Sequence, residues 1–280
     1  MTAISIDHLE RVLDRLCCPA CLHGETRCSA GDLSIHQETG LSVQCRTCGA
    51  QYPVVKGVID FLPDYEENAA PGLAQRSMEN RFVVNYYEKY FRPAFTRLGS
   101  PITYNQEIQW LKSVLPDKPV QYLIDLACGT GKYTRILHDH LSPDWIFAID
   151  ISMPMLQQAV EMAALHGASD IIHIRADAAA LPLRDQCING LNCFGALHLF
   201  PDTVKTISEI SRISADNAFF TCLTARKLRL WRPIQILFSR LFSFHFFDEA
   251  GLENLLISNG FQDFRKSVSR MVLMFACTKQ

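Results

Sequence analysis

The stretch Leu123-Ile124-Asp125-Leu126-Ala127-Cys128-Gly129-Thr130-Gly131-Lys132-Tyr133 constrains this chain more than any other. An apolar-rich run reads as a buried parallel strand, a turn of small residues follows, and a helix begins directly after it. In a strand–turn–helix unit of this kind small residues leave room for a ligand at the main chain, and glycine accepts positive φ. The helix start aims its free N–H groups at that ligand. The turn lacks the G-x-G-x-x-G spacing of dinucleotide sites, so a nicotinamide dinucleotide is not the expected occupant. Asp125, inside the strand, would repel a phosphate and suits a cationic or amine-bearing ligand.

The same residues resemble the first motif of class I S-adenosylmethionine (SAM) methyltransferases. SAM carries a sulfonium and an ammonium and no phosphate, in keeping with Asp125. The resemblance implies an α/β fold with a Rossmann-like, mostly parallel seven-stranded sheet that carries an antiparallel strand near its end. It covers about Tyr104 to Lys279 and rests on several motifs in the right order. By it, Asp125, Ala127, Cys128, Gly129, Thr130 and Gly131 belong to the cofactor site. Trp145 to Asp150 reads as the second strand, and a carboxylate fixed at its end suits both ribose hydroxyls. Ser152 caps the next helix, Pro154 lies in its first turn, Ile151 adjoins the site and Met155 is placed to touch adenine. His173 to Ala178 reads as the third strand and its exit; Asp177 is expected to accept from the adenine amino group and Ala178 to offer its N–H. Cys193 and Phe194, ending the fourth strand, are expected to flank the methionine part of SAM.

Two departures from the family pattern stand out. Asn189 and Gly190 occupy the start of the fourth strand, where the family commonly has an acid. Ser214-Ala215-Asp216-Asn217 replaces a glycine-rich turn before strand five, which reads as Ala218 to Leu223, and asparagine there tolerates positive φ. His198, after strand four, is a candidate base, weighed against a packed loop histidine. Tyr87 is the other candidate catalytic residue: in the aromatic helical pattern of Met78 to Leu98, Tyr86 or Tyr87 would cap the cofactor by the resemblance, against a reading of the stripe as core. No dedicated catalytic base stands out.

Upstream, Cys18-Pro19-Ala20-Cys21 and Cys45-Arg46-Thr47-Cys48 form two C-x-x-C knuckles. Each knuckle offers two thiolates on one tight turn, and two knuckles close a tetrahedron around structural zinc. Cys17 and Cys28 complete no second pair, and His23 is an outside candidate. The tail, Tyr52-Pro53-Val54 through Asp60-Phe61-Leu62, resembles the zinc-ribbon segment before some methyltransferase domains, including bacterial 23S rRNA guanine methyltransferases and a set of plant and cyanobacterial enzymes. The expected organisation is a zinc-ribbon module at 1–63, a linker and cap helices at 64–119, and a SAM-binding domain at 120–280 with a lid insertion at 226–247.

Charge and composition narrow the function. Net charge is −2, and the ribbon's Arg27, Arg46 and Lys56 face Glu25, Asp32, Glu38 and Asp60, a poor surface for phosphates. Nucleic acid is therefore not the expected partner. Eleven cysteines, several inside expected strands, fit a reducing cytoplasmic setting better than a disulfide framework. The N-terminus carries acids and no long apolar run, so no signal or transit peptide is expected, and no apolar stretch reaches membrane-spanning length. Arg226 to Phe247 holds five cations, no acid and a candidate apolar helical face; it reads as packed core, as a lid over a hydrophobic substrate, or as a basic amphipathic helix in peripheral contact with membrane. The expected activity is methyl transfer from SAM to a small, hydrophobic metabolite, on oxygen or carbon. The rivals are a 23S rRNA base methyltransferase and a SAM-binding protein of this fold that transfers no methyl.

Overall fold

A computed structural model of the chain describes residues 4–22, 32–37, 40–65, 101–168, 170–228 and 244–280. Tyr86, Tyr87, His23, Cys28, the expected helix Met78 to Leu98, and most of the 226–247 insertion lie outside the described residues.

The centre is a parallel sheet. Strands β5 (Tyr122–Leu126), β6 (Trp145–Asp150), β7 (Ile171–Arg175) and β8 (Ile188–Phe194) carry near-continuous apolar runs. That composition suits strands covered on both faces. Phe147, Ile124, Ile149, Ile172, Ile174 and Leu191 bury completely between the layers. Strand β5 pairs in parallel with β6 and β8, and β6 with β7. Beyond β8 come β9 (Ser214–Ala225), then β11 (Val272–Lys279), antiparallel to it, then β10 (Phe261–Ser269). The antiparallel strand therefore lies where the family pattern places it.

The helices are fixed largely by their ends. Helix α1 (Ile6–Val12) is capped by Ser5, whose hydroxyl accepts from the His8 N–H, and the short α2 (Pro19–Leu22) carries the first cysteine knuckle. Helix α3 (Tyr104–Val114) starts with a capping box, in which the Thr103 hydroxyl accepts from the Gln106 N–H and the Gln106 side chain returns the bond. Helix α4 (Lys132–Leu141) follows the glycine turn, with Gly131 as its N-cap at φ +75°. Helix α5 (Met153–His166) has a Ser152 N-cap, Pro154 in its first turn and a left-handed Gly167 cap. Asp202 and Asp248 cap α6 (Thr203–Ile213) and α7 (Glu249–Ser258).

Both departures find a physical reason. The Asn189 side-chain oxygen accepts the Tyr122 N–H at 3.1 Å, so an amide oxygen ties β8 to β5 at the strand start. Gly190 makes room for Phe219: a Cβ there would stand 2.3 Å from the ring, which would have to shift. Strand five is longer than expected and begins at Ser214; a register break falls between Ile188 and Gly190, and Asn217 on β9 holds φ +61°.

The largest difference from expectation is at the sheet edge. The expected seven strands, β5 to β11, are present, and the cysteine module extends their sheet instead of standing apart from it. Its strands β1 (Leu33–His36), β2 (Ser42–Cys45), β3 (Gln51–Val55) and β4 (Val58–Asp60) are joined in an antiparallel series, and β4 pairs in parallel with β7. Among the described residues one eleven-stranded sheet results, in the order β1-β2-β3-β4-β7-β6-β5-β8-β9-β11-β10. The buried Asp60 carboxylate pairs with the equally buried Arg175 guanidinium at 3.3 Å, and Arg175 also donates to the Ile151 and Leu62 carbonyls. A second tie comes from the chain after α1, where the Cys17 N–H donates to the Pro182 carbonyl and the Arg184 N–H to the Arg15 carbonyl.

Candidate functional site

The glycine turn is shaped by main-chain conformation. Ala127, Gly129 and Gly131 all have positive φ, at +54°, +55° and +75°. For Ala127 this is a sparsely populated conformation that the surrounding structure must hold. A Cβ at Gly129 would meet nothing within 4 Å, so that side of the turn is open. A Cβ at Gly131 would lie 3.2 Å from the Ala159 Cβ, so that glycine lets α4 close onto α5. The Cys128 N–H donates to the Ile149 carbonyl at 3.0 Å, locking the turn to the end of β6.

Two carboxylates organise the turn, and their surroundings differ. Asp150, half-buried at the end of β6, accepts from the Gly129 N–H at 2.8 Å and from the Ser152 N–H at 2.9 Å. Burial raises its pKa, and those N–H groups act against the rise. A carboxylate has about four lone-pair sites, so two remain for a further donor pair. Asp125 is buried and held by side chains. Thr134 donates to one oxygen at 2.5 Å and Asn192 to the other at 2.7 Å, while Thr221 donates to the Asn192 amide oxygen at 3.0 Å. Burial pushes the Asp125 carboxyl up to about 6 against the pull of those two donors. Sequence reasoning misses Thr134, Asn192 and Thr221; their signal is a polar side chain inside an otherwise apolar strand or on the buried side of a helix.

The other expected cofactor residues are placed as follows. Met155 is buried in the first turn of α5, and Ile151 lies between Asp150 and the Ser152 cap. Asp177 is exposed and accepts from the Ala179 N–H at 2.9 Å, an Asx turn that leaves part of its carboxylate to solvent. Ala178 is buried beside it. Cys193 and Phe194 are buried at the end of β8. The Phe194 ring packs on Tyr133, with centroids 5.0 Å apart, and on Trp110 at 6.4 Å. Tyr133 donates to the fully buried Glu107 carboxylate at 2.8 Å, which binds α3 to the start of α4. His198 sits in a short turn after β8. Its Nδ1 is 3.4 Å from the Thr224 hydroxyl, its carbonyl accepts the His245 N–H, and its ring packs at 4.3 Å on Phe244, which meets Phe246 at 4.7 Å.

A second cluster lies at the sheet edge. The ligand atoms of Cys18, Cys21, Cys45 and Cys48 all fall within 4.8 Å of one another, with the first three cysteines buried. The Sγ atoms of Cys18 and Cys48 are 3.7 Å apart and those of Cys21 and Cys45 3.8 Å. A tetrahedron of thiolates at a zinc–sulfur distance of ~2.3 Å has edges of ~3.8 Å, so the four sulfurs fit that ion. The Tyr52 hydroxyl is 3.0 Å from the Cys18 sulfur. Burial alone would raise the Cys45 thiol, but the Cys48 and Thr47 N–H groups outweigh it and bring it down to about 7. Cys18 is pushed up, chiefly by burial. Between the knuckles and the β7 exit lies a cavity of about 560 Å³ lined by Tyr52, Phe61, Tyr65, Ala176 and Asp177 among others.

Comparison with known proteins bears on the fold and the family. A family profile described as a methyltransferase domain matches residues 118–235. An uncharacterized chloroplastic methyltransferase of Arabidopsis thaliana is 24% identical over 277 residues, spanning 94% of this chain and 77% of that protein. The demethylmenaquinone methyltransferase of Symbiobacterium thermophilum is 28% identical over 190 residues, covering 64% of this chain and 70% of its own. Among solved structures, phosphoethanolamine N-methyltransferase 2 of Haemonchus contortus, bound to phosphomonomethylethanolamine and S-adenosylhomocysteine, superimposes with a TM-score of 0.60 at 16% identity, over 73% of this chain and 59% of that one; this is a likeness of fold. The profile match, the relatives and the shared fold together support a class I SAM-dependent methyltransferase. The same findings support an enzyme with methyltransferase activity.

Proposed function

We propose that the enzyme methylates a small apolar acceptor, quinone-like in its chemistry, at an oxygen or carbon atom. The observation that carries this reading is the aromatic wall of Phe244 and Phe246 packed on His198 at the exit of β8. Demethylmenaquinone methyltransferases recur among the relatives, which supports a quinone-type ring. SAM, when bound, supplies an already activated methyl group on its sulfonium. The protein's task is then alignment and exclusion of water. In this reading Asp150 receives the ribose hydroxyls on its two remaining lone-pair sites, Asp177 and Ala178 receive the adenine edge, and the α4 N-terminus and Gly129 cradle the rest. Phe194, backed by Tyr133 and Trp110, forms the apolar floor next to the methyl. Asp125 acts through others: it fixes Thr134 on α4 and Asn192 on β8, and so the spacing of the two walls. His198 positions the acceptor wall.

The four thiols hold one structural zinc in this reading, and their role is architectural. Its support is the fit of the sulfur spacing and the tie from β4 to β7.

To test the acceptor class, purified enzyme is given methyl-labelled SAM and a cell extract separated into RNA, protein and organic-soluble fractions. Label in the organic fraction, reproduced with a demethylated quinone, is the expected result. Label in RNA overturns it and makes the ribbon the substrate reader.

A further inference from the structure

The chain holds a second cluster of metal-ligating side chains, on the face that carries the C-terminal ends of α4 and α5, away from the strand ends where the cofactor turn lies. His138 and Asp139 stand in the last turn of α4 and His166 in the last turn of α5. The Asp139 Oδ1 is 3.2 Å from His138 Nδ1 and 2.8 Å from His166 Nε2. The other His138 nitrogen, Nε2, faces the Asp170 carboxylate at 3.0 Å. One ligand atom from each of His138, Asp139 and His166 lies within 4.8 Å of the others.

A neutral imidazole has one N–H, yet both nitrogens of His138 face a carboxylate oxygen. Two carboxylates converge here, and two helix C-termini add partial negative charge. A divalent cation placed among these donors would offset that negative charge. The arrangement favours the cation in one respect: an Nε2–H donated to Asp170 leaves Nδ1 unprotonated and turned toward Asp139. This is the carboxylate–histidine arrangement that orients a metal-bound imidazole. Two imidazoles and a carboxylate suit zinc, nickel or copper better than calcium or magnesium.

We propose that His138, Asp139 and His166 form a surface site for one divalent transition-metal ion, with Asp170 as the residue that sets the His138 tautomer. Asp139 is half exposed and His166 somewhat less so, so a small rotation closes their donor atoms around an ion and leaves a coordination position to water. The site clamps α4 to α5. These helices begin at the glycine turn and just after Asp150, so the ion braces both walls of the cofactor site from behind.

The test uses the full chain with any purification tag removed and its zinc content measured. Ni²⁺ is titrated by calorimetry into the unaltered protein and into His166→Ala and Asp170→Asn, each checked for unchanged circular dichroism. The expected result is one nickel per chain, lost in His166→Ala and at least tenfold weaker in Asp170→Asn, the usual cost of removing such a supporting carboxylate. Absence of binding tighter than about 1 mM overturns the site. Binding of equal strength in His166→Ala also overturns it, and places the nickel elsewhere, on the thiols or on His140.

Discussion

The cysteine cluster and the glycine turn both rest on tight turns of the chain, yet they are built in opposite ways. In the ribbon, side chains define the centre: four sulfurs converge, and the main chain around them, such as the Gly49 N–H bonded to the Cys45 carbonyl at 2.9 Å, serves to aim them. In the turn, the main chain defines the centre: positive φ at Ala127, Gly129 and Gly131 opens a cradle, and the side chains of Asp125 and Asp150 hold it from beneath. A centre made of side chains tolerates change everywhere but at its ligands. A centre made of main chain depends on residues that touch no ligand at all.

The strongest test of this contrast removes the metal from the proposed zinc site. Structural zinc binds thiolate sites with on the order of 10 kcal/mol of apparent free energy. Chelation, or Cys45→Ser, is expected to abolish stoichiometric zinc in elemental analysis and to expose residues 40–60 to protease. If protein without zinc keeps the protease resistance of the parent, the ribbon stands on its strands alone. Asp60→Ala comes next, because it leaves Arg175 as an unpaired buried charge at the joint between the two regions. The expected loss is about 3–5 kcal/mol in urea unfolding. A loss below about 1 kcal/mol would show that the joint is held by β-pairing alone.

Asp150→Ala probes the turn itself. It removes the acceptor of the Gly129 N–H and is expected to weaken SAM binding by at least tenfold, about 1.5–3 kcal/mol. Unchanged affinity in calorimetry would move the cofactor elsewhere. The smallest expected effect concerns His173, which pairs in register with Val58 of the ribbon and Ala148 of the central sheet. Burial, aided by the nearby Arg135 charge, lowers its pKa to about 4. The unfolded chain therefore takes up a proton near pH ~6.5 that the folded chain refuses until the pH is far lower. The stability it contributes is complete above that unfolded value and is lost as pH falls through the window down to the folded one. Between pH 7 and pH 5 the loss is about 2 kcal/mol more than in His173→Gln. Parallel pH profiles for the two proteins would remove His173 from the account.

The central strands were legible because each announces itself by an apolar run that closes on a small or acidic residue, as at Leu123 to Gly129 and at Trp145 to Asp150. The knuckles were legible from spacing alone, since two C-x-x-C pairs leave few other uses for four thiols. The pairing of β4 with β7 was not. Val58-Ile59-Asp60 is too short to show a period, and nothing local to it or to Ile171–Arg175 states that the two will be neighbours. Asp60 and Arg175 were visible only as single charges, and their pairing emerges from contact across 115 positions. The supports of Asp125 were hidden in the same way, since Thr134 and Asn192 reach it from a helix and a strand that only the folded chain brings together.

The edge pairing also bears on solubility. Without β4, strand β7 would present its open row of N–H and C=O groups to solvent, and its run Ile-Ile-His-Ile-Arg is a template for pairing with another chain. The ribbon moves the sheet's border outward to β1, a strand of only four residues, while the far border, β10, carries Arg265 and Lys266. Short and charged borders resist recruitment of further strands. A catalytic domain cut free of the ribbon would therefore be expected to self-associate before it lost its fold, which makes the ribbon a guard against aggregation as much as a support for the sheet.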